Sequence, residues 1–478
     1  MKKFYSYFKH WGMLASVVLI LASANFANAQ YLRSSYFMDG SQYRLMLNPA
    51  LAPAKGFVHL PAIGNTNASV RSNSLGFEDV LDIIKNKDDG DYFMSERFVN
   101  NLKDENHAII NAGTDVLAVG WWQSKRSFWT INVSAKVDGS MNVNRGVFNF
   151  LREMSGSSSI DYSNYVRDLG KHEVDINAYT EIGVGYTRLF GDRFSAGLRV
   201  KGLLGVGNAN LKINKAVVKT NLQGVNPEIN WRNIHAEDVI GASGTATVEV
   251  DAQLESSFEG LEYQTNENGY IDDVKFEPKH MGIAGLGAGF DIGLSARVIG
   301  GLSLSAALVD VGFIKWSRGA TQVARTHVDE ITYDTSNPGD IYQFTKIVGS
   351  GEALNPDLVQ LSIDEDAAKA RTTKLASSLV LGADYAFMKD KLSLGVLYTN
   401  RFGSVFKESE LTMSVNYNPS NFIGLTASYS PILSGGQTFG FAIKMGPLFV
   451  GTDYMYLGKN SKCCNALFGL SIPLSKRH

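Results

Sequence analysis

The sequence predicts an all-β fold: a transmembrane antiparallel β-barrel of about 14 strands with long extracellular loops. Three observations predict it. The first is a period of two. In "KLASSLVLGADYAFMKDKLSLGVLYTNRF" (374–402), alternate residues Leu375, Leu379, Leu381, Ala383, Tyr385 and Phe387 share one face. Ala376, Ser378, Val380, Gly382, Asp384 and Ala386 share the other. Alternation of this kind marks a strand. The second is that short and long connections take turns along the chain, as they do between the two ends of a membrane barrel. The third is composition. Glycine is 47 of 478 residues and proline only 11, against usual shares of ~7% and ~5%. That balance suits long uninterrupted strands with tight turns.

The N-terminus carries Lys2, Lys3 and Lys9 ahead of the apolar run "WGMLASVVLILASANFA", with small residues Ala27 and Ala29 flanking Asn28. This is the order of a secretory signal, so residues 1–29 are expected to be removed and the mature chain to begin at Gln30. The apolar run is short for a spanning helix of ~20 residues. No cysteine follows the cleavage site, which argues against a lipoprotein. Removing three lysines and no acid takes the net charge from −2 to −5, and no basic footprint argues for nucleic acid. Mean hydropathy is −0.08; alternation lowers this average in barrel strands and hides them from hydropathy scans.

Residues 30–56 are not periodic and read as an irregular leader. Residues 57–72 read as the first strand of a barrel extending over 57–474. Helical spacing occurs in "FEDVLDIIK" and "YFMSERFVNNL", within a long loop over 73–114. "DVLAVGWWQ" and "SFWTINVSAKV" form the next pair. Segment 138–175 follows, with helices expected at "VFNFLREM" and "YSNYVRDL". "NAYTEIGVGYTRLF" and "RFSAGLRVKGLLGVG" turn at Gly191-Asp192. Within the long segment 208–281, "TATVEVDAQLES" is expected to add strand outside the bilayer. "GIAGLGAGFDIGLSARV" and "LSLSAALVDVGFIKW" turn at Gly300-Gly301, and a long insert covers 317–373. Seven further strands run from 374 to the C-terminus with turns near Asp390, Pro419 and Gly446. Counted this way, the leader, the short turns and the C-terminus share one end, expected in the periplasm, and the long loops share the other. Trp121, Trp122, Trp129, Tyr429, Tyr454 and Tyr456 sit near strand ends and suit interfacial girdles. The bulky face of 374–402 is expected to touch lipid. A β-sandwich is the competing architecture; it explains neither the strands of 13 residues or more, against a usual ~5–6, nor the alternating loops.

No catalytic or metal site is expected. Of the mature-chain histidines only His59 falls in a predicted strand; His107, His172, His235, His280, His327 and His478 fall in predicted loops or the tail, outside any Ser/His/acid arrangement. "GLGAGF" (285–290) lacks the helix a dinucleotide fingerprint needs and reads as close-packed strand. Asp88, Asp89 and Asp91 have the oxygen chemistry of a calcium loop and read better as a solvated acidic loop. Adjacent Cys463 and Cys464 point apart on a strand, poor geometry for a mutual disulfide.

"YRLMLNPALAP", with Asn48-Pro49-Ala50 before the first strand, "GLRVKGLLGVGNAN" (197–210) and "ALVDVGFIKW" (307–316) carry a family likeness. The arrangement resembles uncharacterised outer-membrane barrels of Bacteroides-like bacteria. It is distantly similar to the long-chain fatty-acid outer-membrane transporters and to barrel subunits of type IX secretion systems. The resemblance implies a 14-stranded barrel whose residues 30–56 form an N-terminal plug, with Asn48, Pro49 and Ala50 in that hatch. It implies location in the Gram-negative outer membrane and passage of a small hydrophobic compound. The other implied role is a non-transporting barrel that acts as a partner or shuttle in protein secretion or surface assembly. No enzyme activity and no cofactor are implied. The implied partners are outer-membrane lipid, a hydrophobic small molecule, and secretion or surface proteins met through the long loops.

Overall fold

The computed structural model describes residues 32–38, 40–76, 78–79, 96–153, 160–226, 241–277, 282–326, 330–334, 336–349, 359–388, 390–420, 422–433, 435–455 and 461–476. The expected signal peptide and Asp88, Asp89, Asp91, Tyr456, His235, His280, His327 and His478 lie outside them.

The chain begins its wall with β1 (Lys55–His59) and β2 (Thr66–Ser72), which together make one barrel strand. β3 (Glu105–Ser124) and β4 (Ser127–Asn144) follow. β5 (Tyr165–Asp168) stands outside the wall; β6 (His172–Phe190) and β7 (Phe194–Gln223) return to it. β8 (Ser243–Phe258) and the hairpin of β9 (Leu261–Thr265) and β10 (Ile271–Phe276) lie outside. β11 (Gly285–Ile299) and β12 (Leu302–Trp316) are wall strands. β13 (Thr321–Thr326), β14 (Glu330–Asp334) and β15 (Leu361–Ile363) are again outside. β16 (Arg371–Lys374) and β17 (Ser377–Phe387) share one wall position, followed by β18 (Leu392–Phe402), β19 (Lys407–Tyr417) and β20 (Ile423–Ile432). β21 (Thr438–Met445), β22 (Leu448–Thr452) and β23 (Cys463–Lys476) complete the wall. β23 pairs antiparallel with both β1 and β2, which pair with β3, so 14 strand positions close on themselves.

Closure follows from the outward side chains. Leu381, Tyr385, Leu394 and Val396 are all more than 40% exposed, as are Phe290, Ile292 and Leu294 on β11. Inward partners on the same strands, Val380 and Leu397, are buried. An apolar belt of this size has no place in water, and in hydrocarbon an open sheet edge would leave backbone groups unpaired. Gly300 and Gly446, with φ of +51° and +57°, make two of the tight turns at the end where Lys55 meets Lys476.

Four expectations are corrected. The first strand is broken: residues 60–65 loop out between β1 and β2. Leu375 is buried rather than lipid-facing, because the interruption at 375–376 between β16 and β17 shifts the alternation. Residues 165–168 of "YSNYVRDL" form strand, not helix, since they pair with the edge of β7 at 217–220; edge pairing overrides local propensity. β3 and β6 begin earlier than expected, placing His107 and His172 on strands.

β7 runs 30 residues and continues past the wall to pair with β8, which is the strand expected at "TATVEVDAQLES". β13 and β14 pair with β8, and β15 with β13. This outer sheet and the helices Arg145–Arg152 and Pro338–Gly349 enclose a separate apolar core that includes Phe150, Tyr165, Val218, Val248, Tyr333 and Phe344.

The belt predicts a contrast. Val396→Arg, on the outward face of β18, should cost about 2–4 kcal/mol, the penalty for a cation facing mid-bilayer. Val166→Arg, equally exposed but on β5 beyond the wall, should change stability by no more than about 0.5 kcal/mol. Urea unfolding in liposomes measures both; equal costs would contradict the assignment of the belt to lipid.

Candidate functional site in the barrel lumen

The lumen is filled by residues 32–38 and 40–54. Two short 3-10 turns, Arg33–Ser35 and Gln42–Met46, are the regular structure in this stretch. Irregular backbone has few partners of its own, and buried N–H and C=O groups need them. The wall supplies them. Asp453 accepts from the Arg33 and Ser34 amides at 2.7 and 2.8 Å and from Ser34 Oγ at 2.5 Å. Thr187 donates to Pro49 O at 2.6 Å, Ser195 to Ala50 O at 3.0 Å, and Trp122 Nε1 to Pro53 O at 3.0 Å. Asn48 is fully buried. Its Oδ1 accepts from Ala50 N at 2.9 Å, and its Nδ2 lies 3.1 Å from Tyr36 Oη and 3.2 Å from Leu294 O. Asn48, Pro49 and Ala50 are therefore together, against β6, β7 and β11.

The small inward face now has a reason. Seven glycines on seven wall strands abut this segment: Gly197 against Pro49, Gly293 against Asn48, Gly382 against Tyr36, Gly395 against Phe37, Gly424 against Met38, Gly451 against Leu32, and Gly469 against Tyr43. A methyl group at Gly293 would overlap Asn48 Oδ1, and one at Gly382 would overlap the Tyr36 ring. "GLGAGF" is part of β11; its Gly285 makes room for the buried Trp316.

Ion pairs hold the rest of the lumen. Lys201, fully buried, lies 2.6 Å from both Asp291 and Asp310 and 3.5 Å from Glu181. Lys136 lies 2.7 Å from Glu181, and Arg199 lies 3.4 Å from Asp291 while donating to Leu45 O at 3.3 Å. Three cations thus face three carboxylates, a balance that low-dielectric surroundings demand. On the other side Arg33 meets Glu410 at 2.9 Å, Arg71 pairs with Glu408, and Tyr454 donates to Glu410 at 2.8 Å. Tyr454 is 1% exposed, so it belongs to this network and not to the interfacial girdle expected of it. Sequence reasoning missed both networks. Their signal was a charged residue at an inward position in the middle of an apolar strand, as at Lys136, Glu181, Lys201 and Asp291.

His59 is buried between Tyr43 and Phe57, with ring separations of 5.4 and 4.8 Å. Its Nδ1 lies 2.7 Å from Asp115, and Ser134 donates to the other oxygen of that carboxylate at 2.7 Å. The serine thus bonds the acid and not the imidazole, whose Nε2 has no hydrogen-bond partner among the described residues. Nucleophilic catalysis needs the hydroxyl on the ring nitrogen, and this trio does not have that arrangement. Cys463 is buried, and Cys464 is partly buried; neither is in a disulfide.

A cavity of about 80 Å³ remains above the segment, lined by Arg33, Lys136, Asp138, Asp310 and Arg401 on its polar side and by Leu47, Val309, Leu375 and Val380 on its apolar side.

Four substitutions test this arrangement. Gly293→Val should expel Asn48 and make residues 32–54 sensitive to protease while the barrel stays heat-modifiable. Gly202→Ala, at an outward glycine with room for a methyl group, should leave protection unchanged. Lys201→Met removes the nearest cation of both Asp291 and Asp310 and should cost about 3–5 kcal/mol, read by urea unfolding at neutral pH. Adding Asp291→Asn should recover part of it.

No curated protein matches the chain. Among solved structures it is similar to the Ralstonia pickettii toluene transporter TbuX, at 9% identity over 91% of this chain and 95% of that one, with a TM-score of 0.40. It is similar to a Pseudomonas aeruginosa FadL homologue at 7% identity over 94% and 97%, TM-score 0.29. The translocator domain of the autotransporter NalP from Neisseria meningitidis matches at 7% over 93% and 98%, TM-score 0.31. Residues 49–453 match a family described as a family of unknown function, DUF5723; the chain belongs to that family.

Proposed function

We propose that this outer-membrane barrel lets a small hydrophobic compound cross the outer membrane, entering or leaving sideways through the interruption in its first strand. The observation that carries this reading is the register around residues 60–65. Between the pairs His59↔Ala118 and Thr66↔Thr114, six residues of the first strand face three of β3. On the other side, between His59↔Ser471 and Thr66↔Phe468, the same six face two of β23. The excess loops outward: Pro61, Ala62 and Ile63 are exposed, and Ala62 has φ of +61°. Behind it the lumen is aromatic and apolar, with Phe57, Phe128 and Leu45 in one cluster and Tyr43, Met38 and Phe449 in the next.

In this reading residues 32–54 are the hatch. Asn48, Pro49 and Ala50 anchor it, and the Tyr43 hydroxyl, donating to Gly64 O at 2.6 Å, ties it to the interruption. The short turns lie in the periplasm, the outer sheet lies outside the cell, and bilayer lipid is the partner of the apolar belt. The buried histidine trio takes no chemical part, and the role is not enzymatic.

A second reading is favoured by one feature. The outer sheet has a core of its own, more than passage requires, and it would serve a barrel that docks a secretion or surface protein.

The test is uptake of a radiolabelled aromatic hydrocarbon and a radiolabelled fatty acid by cells that lack their own transporter for them. This barrel should raise uptake of at least one above empty-vector cells. Deleting Pro61–Gly64, which straightens the first strand, should lower that uptake at least tenfold with the barrel still heat-modifiable. No gain with the intact barrel rejects passage; a stable partner recovered by affinity purification would then support docking.

A further inference from the structure

The cations at the short-turn end of the barrel are gathered on one arc of the wall. Lys125 and Arg126 form the turn between β3 and β4, Arg188 lies near the end of β6, Arg193 is in the turn between β6 and β7, and Arg297 is near the end of β11. In the sheet β4, β6, β7 and β11 are consecutive neighbours. Backbone bonds draw the turns together: Leu189 N donates to Arg126 O at 2.8 Å, and Arg297 N to Arg193 O at 2.7 Å. Arg297 also pairs with Asp390 at 3.0 Å. Among the described residues no carboxylate is paired with Lys125, Arg126, Arg188 or Arg193. Farther round the wall, the turns at 418–422 and 446–447 carry no charged residue.

Arg188 faces lipid. On β6 the outward positions read Ile182, Val184, Tyr186, Arg188 and Phe190, so the cation follows the apolar belt on the same face, about 13 Å below Val184 at the usual rise per strand residue. Its Nη1 donates to Ser127 Oγ at 2.6 Å, which holds one side of the guanidinium against β4, and the side chain is otherwise exposed. Aromatic rings stand around it: Trp129 and Tyr186 with centroids 4.7 Å apart, Phe190 and Phe194 5.5 Å apart. Such rings mark the level where hydrocarbon gives way to headgroups. Phe190 lies one step farther out on the same face, so Arg188 stands within the headgroup layer and not beyond it. The anion within reach there is a lipid phosphate. Arginine takes phosphate through a planar fork of donors, and clustered cations at this level attract anionic lipid.

We propose that this arc binds the headgroup of an anionic phospholipid of the inner leaflet, its phosphate on Arg188 with Arg126 and Arg193 beside it, its acyl chains along Val184, Leu198 and Ile292. Those three side chains are all more than 40% exposed. The choice of leaflet rests on the periplasmic placement of the short turns; the site does not rest on the passage reading.

Native mass spectrometry of the full-length protein in detergent tests it, with equal amounts of phosphatidylglycerol and phosphatidylethanolamine of the same chains. The wild type should retain phosphatidylglycerol in preference by about tenfold, as a few cations at headgroup level warrant. Arg126→Gln, Arg188→Gln and Arg193→Gln together should abolish the preference while heat-modifiability is kept. Lys212→Gln, Lys215→Gln and Lys219→Gln together, which remove the same charge from the outer stretch of β7, should leave it unchanged. No preference in the wild type overturns the proposal, as does an unchanged ratio in the arginine variant or an equal fall in the lysine variant. Displacement of the lipid by glycerol phosphate at the lipid's own concentration would overturn the assignment to a lipid, because that probe has the phosphate and no chains. A protease site inserted after Gly191 should be cut only in cells whose outer membrane is permeabilised; cutting in intact cells overturns the choice of leaflet. Uptake assays read a different part of the barrel, so loss of passage with lipid binding intact leaves this inference standing.

Discussion

The structure depends on one constraint: in hydrocarbon no backbone N–H or C=O can be left without a partner. The sheet meets it by closing, with β23 on β1 and β2. The chain meets it a second time inside the wall. Residues 32–54 carry irregular backbone into a lumen where few of their own groups can pair, and hydroxyls, amides and carboxylates of the wall take over that task. Thr187, Ser195, Trp122 and Asp453 each hold a backbone group of the segment. The polar inner face is therefore the second half of one hydrogen-bonding problem whose first half is the barrel itself.

Close approach follows from the same constraint. A wall side chain can reach a carbonyl of the segment only if the two backbones come near, and glycine is what lets them. Gly197 and Gly293 sit where Pro49 and Asn48 press against β7 and β11. Once the segment is seated, lumen charges must be neutralised by partners in the wall, because water is largely excluded. That is the origin of the balanced network around Lys201, whose contacts to Asp291, Asp310 and Glu181 join β6, β7, β11 and β12.

Much of the barrel was legible in the sequence because two physical periods coincide there. The side-chain alternation of β17 and β18 gives the lipid face, and the alternation of loop lengths gives the two ends. What stayed hidden has a common cause: it lies where the period slips. Leu375 changed sides because a two-residue interruption precedes β17. The loop at 60–65 is likewise a register slip, invisible to a pattern that counts only odd and even positions. The outer sheet was half visible. "TATVEVDAQLES" alternates and was readable as strand, whereas Tyr165–Asp168 owes its strand form to the edge of β7, a partner about fifty residues away. In the lumen, the small face was visible as glycine and alanine, but its reason was not, since the filler comes from a stretch with no periodicity. The charged networks were missed because a lysine at position 136 or 201 reads locally as surface.

The same bonding decides how such a filled lumen could open. Moving residues 32–54 out as a unit would break the contacts of Asp453, Thr187, Ser195, Trp122 and Arg199 with the segment together, and separate Arg33 from Glu410. At about 1 kcal/mol net for each neutral hydrogen bond and more for charged ones, that sum rivals the stability of a whole domain. A shift confined to Tyr43 and Gly64 would break one hydrogen bond and rearrange aromatic contacts with His59 and Phe449. Any motion that admits a solute should therefore be local, at the interruption in the first strand, with the glycine-seated remainder of the segment serving as the fixed frame against which it moves.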